Sequence, residues 1–205
     1  MDTDDVEMSL WFDRSVTPAW GISGGGNAEP PAVIINPEGT EEQPDESGFL
    51  WVLDPLDGTL NYVNGLPIYA VSIGVLHHGV PEVGCIWVPW PGVADGVIFS
   101  ACKGQGAFKD DEPISVQSDP VPQPAHLNIF HRDFRVHYLR NAGSKVPIGE
   151  GRGPGSLAYE MALTSNGVFQ YAVFTSPRIW DVAAGIVLIK EAGGLVLTYE
   201  NGPRG

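Results

Sequence analysis

Two aspartates separated by a proline and a leucine follow a short apolar run, and they limit the possible folds more than any other feature. Residues 49–53, Phe-Leu-Trp-Val-Leu, are typical of a buried strand. Pro55 has no backbone N–H and keeps the preceding residue extended, so we predict that the strand ends there. The turn that follows places Asp54 and Asp57 close together. Two adjacent carboxylates repel each other unless a proton or a cation lies between them.

The residues in and after this turn favour a site for a metal ion and a phosphate. Mg²⁺ binds through one or two carboxylates together with oxygens of a substrate phosphate. Gly58 and Thr59 come next, and a turn rich in backbone amides at the start of a helix is a good phosphate site. Taken alone, the pattern Asp-x-x-Asp-Gly is more typical of an exposed turn, so a metal site at this position depends on the evidence of other segments.

A further acidic position lies far along the chain, ahead of a helix-favouring stretch. Asp181 follows Trp180 and precedes a run of alanine and branched apolar residues. We predict that Asp181 caps the N-terminus of this helix, because aspartate is preferred at that position. Gly193 and Gly194 end the helix, and residues 195–198 are predicted to form the next strand.

Four segments together resemble the inositol monophosphatase family of Mg²⁺-dependent, lithium-sensitive phosphomonoesterases. In chain order they are W-V-L-D-P-L-D-G-T-L-N-Y at 51–62, G-Q-G-A-F at 104–108, G-S-L-A at 155–158 and W-D-V-A-A-G with E-A-G-G at 180–194. The resemblance implies a layered α/β/α/β/α sandwich with the metals where its two sheets meet. It also implies direct attack of water on the phosphate, without a phosphoenzyme.

The same resemblance assigns metal ligands. Asp54 is similar to the carboxylate that bridges the first two metal ions. Asp57 and Asp181 are similar to ligands of the second ion, and the main-chain carbonyl of Leu56 to the group that completes the shell of the first. The cofactor implied is Mg²⁺.

It assigns phosphate and substrate contacts as well. The amides of Gly58 and Thr59 match those that hold the phosphate, and the Thr59 hydroxyl matches the one that orients the attacking water. Asp181 and Ser156 complete the predicted substrate contacts. For Ser156, a simple helix cap is the alternative. The predicted catalytic carboxylates near Thr59 are those of Asp54 and Asp57, with one glutamate in addition.

That glutamate comes from the acidic residues that precede the first strand. The resemblance implies one such residue, which binds metal and helps to activate water, and Glu41 is the first choice. The gap from Glu41 to Asp54 is shorter than is usual in the family. Glu42 and Glu46 therefore remain alternatives.

Composition and charge indicate which classes of molecule the protein can bind. The 205 residues are 43% hydrophobic, and 11 basic against 25 acidic residues give a net charge of −14. An acidic excess disfavours binding to nucleic acid or to an anionic membrane. The sequence has no 18-residue apolar span and no basic, apolar leader. We therefore expect a cytoplasmic protein whose partner is a small phosphate monoester. The sequence leaves open whether the protein forms a homodimer.

The pattern of elements predicts a mixed α/β (α+β) fold. Consecutive strands are predicted between residues 68 and 116, and a helix at 156–164 precedes a strand at 168–174. Residues 131–154 are predicted to be an irregular loop. We divide the chain into a loop-rich segment at 1–40, which contains a strand at 32–35, and a catalytic domain at 41–205. Compared with the family, that domain is expected to lack N-terminal helices and the C-terminal end.

The identity of the substrate is open at this point. Inositol-specific members carry a glutamate seven residues before the position of Asp181, and this chain has Phe174 there, which would offer only an apolar wall. We therefore expect a broad range of inositol, sugar, polyol or nucleotide phosphates. The adenosine bisphosphate and fructose bisphosphate branches of the superfamily are alternatives. A catalytically impaired relic, which keeps the metal motif as a binding module, is the alternative from another class.

Overall fold

The computed structural model describes residues 32–35, 48–119, 123–130, 149–174 and 177–197. Within these ranges the chain forms ten strands and three helices. The strands are β1 (Ala32–Ile35), β2 (Phe49–Asp57), β3 (Ala70–His77), β4 (Val80–Trp90), β5 (Val93–Cys102), β6 (Ala107–Lys109), β7 (Glu112–Pro113), β8 (Leu127–Ile129), β9 (Glu150–Arg152) and β10 (Phe169–Ala172). The helices are α1 (Thr59–Val63), α2 (Leu157–Ser165) and α3 (Ile179–Glu191).

The larger sheet contains seven strands in sequence order, β1 to β7. β1 pairs with β2 in parallel, and each later neighbour is antiparallel. A two-residue turn joins β3 to β4, and both of its residues, His78 and Gly79, have positive φ angles of 49° and 79°. Such a turn matches the twist of the paired strands. Buried residues alternate strictly along β3, so one face of the sheet lies against the core.

Two helices lie between this sheet and a smaller one. α3 packs across β3, β4 and β5, and α2 packs on α3 and on β10. The smaller sheet has the order β10-β8-β9, with parallel pairing throughout. One apolar cluster joins the larger sheet to the helices, and a second joins the helices to the smaller sheet. The predicted layered α/β fold class is therefore confirmed. No helix in the described part of the chain is both long and apolar enough to span a membrane.

Two glycines allow α3 to lie unusually close to the larger sheet. A Cβ atom on Gly74 would lie 2.7 Å from the Cβ of Ala183. A Cβ atom on Gly84 would collide with the backbone oxygen of Ala184 and would lie 2.8 Å from its Cα. Only hydrogen at these two positions lets the first turns of the helix rest on β3 and β4. The N-terminus of α3, with Asp181, is thereby fixed over the sheet.

Several predicted boundaries differ from the structure. β2 does not end at Pro55 but continues to Asp57, because an irregularity in its pairing with β3 accommodates the proline. Residues 195–197, predicted as part of a strand, are not in one. In the predicted loop at 131–154, residues 150–152 form β9, and residues 131–148 lie outside the described part. A short strand with the sequence Glu-Gly-Arg has no apolar alternation by which it could be recognised.

Asp181 also occupies a different position from the one predicted. The residue that caps α3 is Arg178, and Asp181 lies in the first turn of the helix. Its carboxylate accepts a hydrogen bond from the backbone N–H of Arg178, with Oδ2 2.9 Å from the nitrogen. The carboxylate thus still satisfies a backbone donor at the helix start, but from inside the helix.

We expect Gly84→Ala to destabilise the protein, because the added methyl group would push α3 away from β4. Overpacking of this kind costs about 1–3 kcal/mol. Gly153→Ala is the matched control, since a Cβ atom there would have no heavy atom within 4 Å. Urea unfolding of both variants measures the effect. Equal stability of the two variants would contradict the close packing of α3 on β4.

Candidate metal centre

A bulge in β2 brings Asp54 and Asp57 to the same face of the larger sheet. Asp54 is opposite Ser72 and Asp57 is opposite Ala70, so three steps along β2 match two steps along β3. In a regular strand, side chains three residues apart point to opposite faces. The extra residue reverses this alternation, and both aspartates point to the buried side with 4% and 8% of their surface exposed.

The start of α3 adds a third carboxylate to the pair. The Ser72 hydroxyl on β3 donates a hydrogen bond to the carbonyl oxygen of Trp180, at 3.3 Å, which ties the first turn of the helix to the strand. Asp181 is the next residue. One carboxylate oxygen from each of Asp54, Asp57 and Asp181 lies within 4.8 Å of the other two. The structure therefore brings together three of the predicted ligands from distant parts of the sequence.

Burial and nearby charges oppose the ionisation of Asp181 and Asp57. Burial, and then the nearby charges of Asp57 and Asp54, raise the pKa of Asp181 to about 7, against the opposing bond from Arg178. Burial also raises the pKa of Asp57, and the charge of Asp54 adds to the effect. Hydrogen bonds from Ser156 and Ala158 partly counter this shift. A divalent cation between the three groups would favour their ionised forms, which is the behaviour of a carboxylate metal site.

The donor set fits a hard divalent cation. All three side chains offer oxygen, which such ions prefer, and one oxygen of each lies within 4.8 Å of the others. The carbonyl of Leu56 lies in the bulge between Asp54 and Asp57 and accepts a hydrogen bond from the Thr59 hydroxyl at 2.9 Å. Thr59 itself is exposed at the start of α1.

Gly58 lies in a tight space beside these residues. Its φ angle is +85°, and a Cβ atom there would lie 2.8 Å from the Cβ of Ser156 and 2.9 Å from the carbonyl oxygen of Ile68. A larger residue is therefore excluded both by conformation and by space. The backbone N–H of Gly58 bonds the Asp57 carboxylate. This amide, predicted as a phosphate contact, is thus engaged with a proposed ligand.

Ser156 does not face a substrate in this structure. Its side chain is completely buried, and its hydroxyl caps α2 by accepting from the N–H of Tyr159 at 3.3 Å. The same hydroxyl donates to Oδ2 of Asp57 at 2.7 Å. The structure therefore supports the helix-cap alternative for the Ser156 side chain, and a contact of Ser156 with substrate stays a prediction.

Phe174 also has a different environment from the one we expected. It is 2% exposed and belongs to the apolar cluster between the helices and the smaller sheet, where it lies with Met161 and Val182. It therefore forms part of the core and provides no apolar wall for a substrate. The candidate glutamates Glu41, Glu42 and Glu46 lie outside the described residues.

Two residues that the sequence analysis did not select also contribute to this region. The Asn61 side chain donates from Nδ2 to the carbonyl oxygens of Ile68 at 2.8 Å and of Pro154 at 2.7 Å. Glu160 is 4% exposed and accepts from the N–H of Gly155 at 2.8 Å. Burial raises the pKa of Glu160 to about 7. The sequence could have indicated Glu160, because it is the one charged residue of α2, whose other residues are apolar or small.

Comparison with known proteins identifies relatives over most of the chain. Residues 27–204 match the model of the inositol monophosphatase family. A fructose-1,6-bisphosphatase/inositol-1-monophosphatase of Aquifex aeolicus is 32% identical over 154 residues, which are 73% of this chain and 57% of that protein. The inositol-1-monophosphatase ImpA of Mycolicibacterium smegmatis is 30% identical over 209 residues, which are 97% of this chain and 70% of that protein.

Solved structures agree with these sequence relatives. The extragenic suppressor protein suhB from Bartonella henselae superimposes with a TM-score of 0.64 at 30% identity, covering 78% of this chain and 62% of that chain. The present chain thus spans about three fifths of the length of the Aquifex and Bartonella proteins. The four sequence segments, the layered fold and the family match over residues 27–204 agree: the chain belongs to the inositol monophosphatase family.

Proposed function

We propose that this chain hydrolyses a phosphate monoester in a reaction that depends on Mg²⁺. The observation that carries the proposal is the convergence of Asp54, Asp57 and Asp181 within 4.8 Å of one another in a buried setting. Three carboxylates this close together, with the pKa values of Asp57 and Asp181 raised, have no evident structural purpose, since they weaken the fold. Their proximity is explained if they are the ligands of a cation, because the bound cation removes the repulsion between the carboxylates.

The proposed ligands are the three carboxylates, the Leu56 carbonyl and one of the acidic residues Glu41, Glu42 and Glu46. When bound, the ions would neutralise the phosphate oxygens, lower the pKa of a bound water and stabilise the leaving alkoxide. The bulge in β2 places Asp54 and Asp57 on one face of the sheet. The close packing of α3 on the sheet sets the position of Asp181. The Thr59 hydroxyl, exposed beside Leu56, is proposed to orient the attacking water.

The substrate is proposed to be a small sugar, polyol or nucleotide phosphate, with inositol phosphate among them. The name of the Aquifex relative, fructose-1,6-bisphosphatase/inositol-1-monophosphatase, covers both a sugar bisphosphate and an inositol phosphate. Since Phe174 is buried in the core, it neither binds a substrate hydroxyl nor stacks on a ring. Recognition through the phosphate and the metal ions, which all phosphomonoesters share, is therefore the basis that we propose for binding.

Asp54→Asn should abolish the release of inorganic phosphate from inositol 1-phosphate in the presence of Mg²⁺. The substitution keeps the shape of the side chain but removes the charge that would bridge two cations. Asp111→Asn, in the exposed turn between β6 and β7, is the control and should retain wild-type activity. Undiminished activity of Asp54→Asn, or of the wild type with excess chelator, would show that this centre does not carry the reaction.

Lithium should inhibit the reaction at millimolar concentrations and uncompetitively with respect to substrate. Li⁺ is close to Mg²⁺ in size but carries half its charge, so it can occupy a site formed by Asp54, Asp57 and Asp181 without supporting turnover. Initial rates measured over a matrix of Li⁺ and substrate concentrations test this. An enzyme that is active with Mg²⁺ but unaffected by a large excess of Li⁺ would contradict the proposed site.

The stabilisation of the protein by Mg²⁺ should increase as the pH rises. Folding raises the pKa of Asp181 and of Glu160 to about 7, so the folded state binds more protons than the unfolded state above pH 4. Without metal, their contribution to the free energy of unfolding is therefore full at acid pH and is lost as the pH rises through about 7. Mg²⁺ binds the ionised carboxylates, so its affinity should increase over the same range.

Thermal unfolding at pH 5.5 and pH 8, with Mg²⁺ and with chelator, measures this linkage. We expect the increase in Tm caused by Mg²⁺ to be larger at pH 8. Asp181→Asn, which removes one of the titrating groups, should reduce the difference between the two pH values. An equal increase in Tm at both pH values in the wild type would contradict the assignment.

A further inference from the structure

Glu160 is a buried carboxyl group that the proposed reaction does not use. It is 4% exposed, and its neighbours in α2 include the buried side chains of Ala158, Met161 and Ala162. A carboxyl group in such surroundings destabilises a protein unless hydrogen bonds compensate for its lost hydration. Its contacts therefore indicate what it contributes.

These contacts hold the segment that leads into α2. Oε1 of Glu160 accepts from the N–H of Gly155 at 2.8 Å, and the carboxylate is also bonded by the N–H of Ser156. On the other side of the same segment, Asn61 donates to the carbonyl oxygen of Pro154 at 2.7 Å. Residues 154–156 are thus held by a carboxylate from within the helix and by an amide from α1.

The segment held in this way carries the hydrogen bonds to Asp57. The Ser156 hydroxyl donates to Oδ2 of Asp57 at 2.7 Å, and the N–H of Ala158 donates to the same oxygen at 2.6 Å. These two donors on one oxygen, together with the N–H of Gly58, restrict the rotation of the carboxylate. Any change in the position of Ser156 would rotate or release Asp57.

We propose that Glu160 is a positioning residue for the metal site, which acts through Ser156 on the orientation of Asp57. The inference rests on the proposed function, because it assigns Asp57 to the coordination of a cation. Groups that orient metal ligands through hydrogen bonds typically change the affinity for metal by 10- to 100-fold when they are removed. A residue that only stabilises the start of α2 would change the unfolding free energy and leave the affinity for Mg²⁺ unaltered.

Glu160→Met and Glu160→Gln separate these two roles. Methionine fills nearly the same volume, suits the apolar surroundings and a helix, and removes the acceptor. Glutamine keeps an oxygen acceptor in the same place. Glu191→Met is the matched control, because Glu191 accepts from the N–H groups of Gly104 and Gly106 at 2.8 and 2.9 Å in a similar way. It lies ten residues after Asp181 in α3, about 15 Å along the helix axis.

The measurement is the dissociation constant for Mg²⁺ by calorimetry, at a temperature at which circular dichroism shows each variant folded. We expect Glu160→Met to bind Mg²⁺ at least about tenfold more weakly than the wild type. Glu160→Gln should stay within about threefold of the wild type, and Glu191→Met should bind normally even if its Tm is lower. Normal Mg²⁺ affinity in Glu160→Met would overturn the inference.

Ser156→Ala tests the same relay without altering Glu160. It removes the hydroxyl bond to Asp57, and as the loss of one helix cap it should leave the protein folded. We expect Ser156→Ala to weaken Mg²⁺ binding to a similar degree, and the double variant Glu160→Met/Ser156→Ala to be little weaker than either single one. Wild-type affinity in Ser156→Ala would refute the relay even if Glu160→Met did not fold. A wild-type protein that does not bind Mg²⁺ would instead overturn the proposed function itself.

Discussion

The repulsion among three buried or half-buried carboxylates is the interaction on which the rest of the structure depends. Asp54, Asp57 and Asp181 lie within 4.8 Å of one another, and both burial and the neighbouring charges raise the pKa values of Asp57 and Asp181. The free energy that keeps them together must come from packing elsewhere in the molecule. It comes from the apolar side of the larger sheet and from α3, whose residues 182–189 are all buried. The site and the core are therefore energetically coupled, since any loosening of the core lets the carboxylates move apart.

Two local irregularities turn this packing into a site. The bulge in β2 reverses the alternation of the strand, so that residues three apart share one face. The glycines of β3 and β4 remove the side chains that would otherwise hold α3 away from the sheet. Around this centre lies a set of hydrogen bonds from residues that themselves bind nothing in the proposed reaction, in particular Ser156 and Glu160. Such bonds fix the orientation of a ligand before a metal arrives.

Much of this could be predicted from the sequence, because local patterns determine it. The apolar run before Asp54 and the helix before Gly193 follow from composition and spacing, and the resemblance to a family brings the distant Asp181 into the same site. The rest depends on tertiary contacts that no local pattern reports. The extension of β2 beyond Pro55 requires β3 as a partner, and the burial of Phe174 requires the smaller sheet. Glu160 could be noticed as a charge in an apolar helix, but its bond to Gly155 could not be foreseen.

A crystal structure of the protein grown with Mn²⁺, with anomalous scattering data collected at the manganese edge, is the most direct test of the central claim. Mn²⁺ prefers the same oxygen ligands as Mg²⁺ and can be located without reference to the protein coordinates. We predict an anomalous peak within coordination distance of carboxylate oxygens of Asp54, Asp57 and Asp181, and its loss in Asp54→Asn. Complete anomalous data with no peak among these three residues would contradict the assignment of a metal centre.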